Sequence, residues 1–90
     1  MMPLVKKMVL DVLKPHQPNA LEFAKAIAEV GSDYRVYLTV LAMDEATETT
    51  QIEVEGSAIN FEAVQACINE LGGSLHSIDE VLVHSDDSDT

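Results

Sequence analysis

The sequence predicts an α+β domain in which a four-stranded antiparallel sheet carries two helices on one face. Three observations carry this. Apolar residues recur with period two over four stretches and at helical spacing over two. The stretches run strand, helix, strand, strand, helix, strand. Each helical stretch opens on an asparagine suited to capping, Asn19 or Asn60, and closes on glycine, Gly31 or Gly72-Gly73.

The first strand covers residues 4–13, with Leu4, Met8, Leu10 and Val12 inward and Val5, Lys7, Val9, Asp11 and Leu13 outward. Lys14-Pro-His-Gln-Pro18 should end it, because prolines cannot donate to a ladder. Asn19, with Glu22 completing a capping-box-like pair, opens a helix whose stripe is Leu21, Ala24, Ile27 and Ala28, with Phe23 beside them. Residues 33–43 form the second strand: Val36, Leu38, Val40 and Ala42 on one face, Arg35, Tyr37, Thr39, Leu41 and Met43 on the other. Asp44 begins a turn. The third strand, residues 49–56, points Thr50, Ile52 and Val54 inward and Gln51, Glu53 and Glu55 outward. The second helix presents Phe61, Val64, Ile68 and Leu71, and a fourth strand spans residues 75–84. Residues 85–90 read as an acidic, disordered tail behind a domain of residues 1–84. This order is the ferredoxin-like β-α-β-β-α-β plan, with the first and third strands central and the fourth beside the first.

Three motifs resemble those of the archaeal "domain of unknown function two-eleven" family. They are Val9-Leu-Asp-Val-Leu-Lys-Pro-His16, Met43-Asp-Glu-Ala-Thr-Glu48 and Gly72-Gly-Ser-Leu-His-Ser-Ile-Asp-Glu-Val81. The resemblance covers about Met8 to Val83. It implies the same ferredoxin-like fold and homo-oligomeric assembly through the sheets, and it supplies no activity. The chain departs from the family in its acidic tail and its scarcity of Arg and Lys.

Sixteen acids against five bases leave a net charge of -11. Nucleic acid and anionic membrane surfaces are poor partners for such a chain, whereas cations, basic partners or a high-salt cytoplasm suit it. The lone Cys67 allows no internal disulfide. Lys6 and Lys7 before an apolar run mimic a signal peptide, but Asp11 interrupts the run and no small-residue cleavage site follows. A soluble, cytoplasmic protein is the expectation.

Candidate chemistry centres on the first and fourth strands. A register summing to about 90 places Asp79 opposite Asp11, two carboxylates that repel across a ladder. Solvent, a lysine, a shared proton or a cation must relieve them. With His76 near Lys14 and His16, the set Asp11, His16, His76, Asp79 and Glu80 would suit Ca²⁺ or Mg²⁺ better than zinc. The competing reading leaves the acids solvated on a rim. A β-bulge at Asp79-Glu80 would turn Ile78, Val81 and Val83 to one face and both acids to the other. His16 has no serine or cysteine placed as its nucleophile, and Cys67 reads as a small buried residue.

No helix covers the outer sheet face, yet Val5, Val9, Leu13, Tyr37, Leu41 and Met43 fall on it. An apolar patch of that kind marks an interface, here with further copies of the chain. The leading expectation is a non-enzymatic, self-associating domain with a divalent cation at an acidic strand edge. The alternative is a homo-oligomeric regulatory module holding a small metabolite near Pro15, His16 and Gly72-Gly73. An acylphosphatase-like enzyme would need an Arg in a phosphate-cradling loop, and Arg35 falls on a strand. RNA binding lacks sheet aromatics, and the absent Cys-x-x-Cys excludes soft-metal carriage.

Overall fold

In a computed structural model describing residues 2–86, the predicted order is realised. It runs β1 (Met2–Pro15), α1 (Ala20–Ala28), β2 (Arg35–Met43), β3 (Thr47–Glu55), α2 (Phe61–Glu70) and β4 (Ser74–Asp86). The sheet is antiparallel in the order β2-β3-β1-β4, the ferredoxin-like arrangement. Period-two apolar residues on its central strands meet the helices: Met8, Leu10 and Val12 of β1 and Ile52 and Val54 of β3 pack with Phe23 and Ile27 of α1 and Val64 and Ile68 of α2.

Both helices start as their asparagines dictate. The Asn19 side chain accepts from the Glu22 amide at 2.9 Å, and the Asn60 side chain from the Ala63 amide at 3.0 Å. Glu22 turns its own carboxylate to Lys25, 3.9 Å away, rather than closing a capping box. The α1 stripe is also rotated from expectation. Phe23 and Ile27 are buried while Leu21 is exposed. Gly72, at φ 86°, ends α2 in the left-handed conformation that a Cβ would strain.

Irregularities in the ladders decide which side chains face where. Lys6 bulges from β1, so Val5 pairs with Val83 and turns inward to pack on the core instead of lying on the outer face. Leu41 bulges from β2, so Ala42 pairs with Thr49 while Met43 pairs with Glu48, whose side chain faces the helices. Ala42 and Met43 therefore exchange faces relative to simple alternation. On β4, His76 and Asp79 are the extra residues. The bulge expected at Asp79 is present: Ile78 and Val81 pair with the inward Leu10 and Met8, and Glu80 pairs with the outward Val9.

β1 and β4 also continue past β3. Pairing of Met2–Val5 with Val83–Asp86 lies beyond the last β1–β3 pair, Lys7 with Glu55, and the molecule is correspondingly long, 52 × 22 × 17 Å. Ser85 and Asp86, read as the start of a tail, belong to β4. The rest of that predicted tail lies outside the described residues.

Candidate functional site

Two groups of ionisable side chains sit near the β1 end where β4 begins, one on each face of the sheet. The first continues β1's inward row. Lys14 follows Met8, Leu10 and Val12 at period two and is fully buried. Its ammonium donates to Glu48 Oε1 at 2.9 Å and to the Pro15 carbonyl at 2.8 Å, and it lies 5.7 Å from the Phe23 ring centroid. Glu48 is the β3 residue paired with Lys14, itself buried, so the ladder register creates the ion pair. Its second oxygen, Oε2, is 2.9 Å from His16 Nδ1.

The histidine's other nitrogen fixes its charge. Nε2 lies 2.9 Å from the Asp44 carbonyl and 3.1 Å from the Glu45 carbonyl, which can only accept, so Nε2 carries a proton. Glu48, held ionised, can only accept from Nδ1. The surroundings therefore favour the imidazolium form of His16, its pKa raised by the Glu48 hydrogen bond and then by the Asp44 carbonyl. Hydrogen bonds from His16 and Lys14 hold Glu48 below the usual carboxylate range. Asp44 is also lowered, by the Thr47 and Ala46 amides that its Oδ1 accepts at 2.9 and 3.0 Å. The cluster thus ties the β1 end to the β2–β3 turn, with both Glu48 oxygens and both His16 nitrogens engaged. Together the three side chains form a clamp between these segments.

The second group lies on the open face. His76 Nδ1 is 3.3 Å from Asp11 Oδ2, beside a cleft of about 220 Å³ lined by Asp11, Leu13, Thr49 and His76. The His76 side chain is 81% exposed. Asp79 does not oppose Asp11. The two β4 bulges leave Ser77 as Asp11's partner, and the Ser77 hydroxyl donates to Asp79 at 2.6 Å. Glu80 faces Lys7, 3.3 Å away, and Glu53 approaches the same ammonium at 3.9 Å. The five residues expected around a cation are thus divided. His16, itself partly exposed, belongs to the Lys14–Glu48 clamp, Asp11 to His76, Asp79 to Ser77 and Glu80 to Lys7. Among the described residues no three His, Cys, Asp or Glu side chains are arranged to hold a metal ion.

Near Pro15 and Gly72-Gly73, where a metabolite was expected between subunits, a Cβ at Gly72 would stand 3.4 Å from the Pro15 ring, and both nitrogens of the His16 ring have partners. Cys67, half-buried against the core, has a thiol whose pKa burial pushes up, as suits an inert packing residue.

The outer face is less apolar than alternation implies. Val5 and Met43 have left it, and Val9 is only 8% exposed between Glu53 and Glu80. Leu13, Tyr37 and Leu41 remain exposed. Large exposed apolar side chains gather instead on the two edge strands: Tyr37, Leu41 and Met43 on β2, and Ile78, Val81, Leu82 and Val83 on β4. Lys14 and Glu48 were the functional-looking residues that alternation missed. The available signal was parity, since a lysine two residues beyond Val12 falls on the inward row.

Comparison with known proteins returns a match of residues 6–86 to the family described as uncharacterized ArCR, DUF211. A curated relative, an uncharacterized protein of Methanocaldococcus jannaschii, is 37% identical over 78 residues, covering 87% of this chain and 80% of the relative.

Proposed function

We propose, from the premise that this chain belongs to the uncharacterized ArCR family (DUF211), that it acts as a non-enzymatic, self-associating domain. The observation that carries this reading is the row of exposed apolar side chains along each sheet edge, Tyr37, Leu41 and Met43 on β2 and Ile78, Val81, Leu82 and Val83 on β4. Edge strands in monomeric proteins are protected by charge, proline or shortness. Here β4 runs 13 residues, and beyond Asp79 and Glu80 the stretch Val81-Leu82-Val83 places exposed apolar side chains on both faces. The saturated Lys14–Glu48–His16 clamp supports a structural rather than catalytic use of the ionisable groups.

Copies carrying -11 each repel one another. Salt, including Ca²⁺ or Mg²⁺, would therefore strengthen association by screening. Sedimentation velocity tests this. The expected species is larger than the 9.8 kDa chain and persists to lower protein concentration as salt is raised. A 9.8 kDa particle at every salt and protein concentration would remove the proposal.

A further inference from the structure

We infer that a proton on His16 fastens the β2–β3 turn to the end of β1, and that losing this proton frees the turn while Glu48 keeps its hold on the ring. The inference goes beyond the self-association proposed above and does not depend on it.

The ladders thin on both sides of the turn. The last pairs between β1 and β3 are Lys14 with Glu48 and Pro15 with Thr47, and a proline brings no N–H to a ladder. On the β2 side, the bulge at Leu41 interrupts the pairing with β3. Between these weak joints the turn is closed on itself. The Asp44 amide donates to the Thr47 carbonyl at 3.0 Å, and Asp44 Oδ1 accepts from the Ala46 and Thr47 amides at 3.0 and 2.9 Å. Residues 44–47 thus form a small unit. His16 Nε2 reaches across to it, 2.9 Å from the Asp44 carbonyl and 3.1 Å from the Glu45 carbonyl.

A protonated ring donates on both sides. A neutral ring keeps one N–H and must set its other nitrogen, now an acceptor, against an acceptor. Two differences decide which side loses. The first is charge: the Glu48 carboxylate, held by Lys14 on its far oxygen, is a stronger acceptor than a carbonyl. The second is access to water. The Glu48 side chain is 9% exposed, so solvent replaces a lost donor poorly, whereas Asp44 and Glu45 are exposed and their carbonyls can turn to water.

The remaining proton therefore stays on Nδ1, towards Glu48, and a bare Nε2 lone pair faces the two turn carbonyls. That contact is repulsive, and the turn moves off as a unit. The charged groups about the ring are Glu48 of β3, Lys14 of β1, and Asp44 and Glu45 of the turn. Asp44 and Glu48 are both held below the usual carboxylate range, so neither changes charge while the imidazole titrates. The ring is 37% exposed and exchanges its proton with solvent.

Imidazole ¹⁵N NMR on the wild-type chain reads the tautomer directly. As pH is raised from about 6 to about 8.5, Nε2 should lose its proton and Nδ1 should keep it. Over the same range the backbone order parameters of residues 44–47 should fall from about 0.85 towards about 0.6, while those of Ile52 and Val54 hold. In His16→Gln the turn values should not move with pH. His76 and His84 are present in both chains, so any change they cause appears in both. A neutral ring protonated at Nε2 overturns the inference. So does a turn whose order is unchanged through the wild-type titration, and so does an equal change in His16→Gln. These signals are read whether the chain is single or associated, so a monomeric wild type removes the self-association and leaves this inference standing.

Discussion

Two histidine–carboxylate pairs lie at the same end of this sheet, and their surroundings make them different objects. His16 and Glu48 meet at 2.9 Å on the helix side, with the fully buried Lys14 on Glu48's other oxygen and backbone carbonyls behind the ring. His76 and Asp11 meet at 3.3 Å on the open side, where the imidazole is mostly in water. The same two residue types form a clamp in one place and a loose surface pair in the other. Burial decides between them, because only an enclosed pair leaves a stranded charge when one partner is removed.

The sharpest way to break that contrast is Glu48→Ala. It leaves the Lys14 ammonium buried without a counter-charge, and chemical denaturation should show a loss of about 3 kcal/mol or more. A loss no larger than that of a surface substitution would mean that Lys14 escapes to water and the clamp is not enclosed.

Titration gives a smaller effect with a definite sign. His16 is raised above 6.5 in the folded chain, so its contribution is complete below 6.5 and is lost as pH rises through the folded value. Glu48 is lowered below 4.5, so its contribution is present above 4.5 and is lost as pH falls through its folded value. The clamp therefore stabilises most between 4.5 and 6.5. The melting temperature of wild type relative to His16→Gln, which keeps a donor but cannot take the extra proton, should be highest near pH 6 and shrink towards about pH 8.5. A gap that is flat across that range would show that His16 is neutral in the fold.

The least effect belongs to the open pair. Asp11→Asn should move stability by no more than about 0.5 kcal/mol, as exposed ion pairs do. Adding Ca²⁺ or Mg²⁺ should shift the melting curves of wild type and variant alike. A cation response present in wild type and lost in Asp11→Asn would restore a metal site at this position.

Period and capping made most of the fold legible. Thr50, Ile52 and Val54 alternate without interruption and are all fully buried, and Asn19 and Asn60 cap their helices as placed. Sites were harder to read, because a register slip of one residue moves a side chain to the other face or past its partner. Asp11 and Asp79 were separated in this way by the bulges at His76 and Asp79, and Met43 changed face through the bulge at Leu41. Lys14 was assigned to a terminating loop because Pro15 follows it. Yet both residues stay in β1, since a proline at the last position of a strand costs the ladder little.

The amino-acid order by itself determined the elements, their sequence along the chain, the inward rows of the central strands and the acidic charge, all of which follow from local periodicity and composition. Only tertiary structure decided which acid meets which histidine and where the exposed apolar surface falls. Those outcomes depend on cross-strand register, and register is set by bulges and packing between segments far apart in the chain.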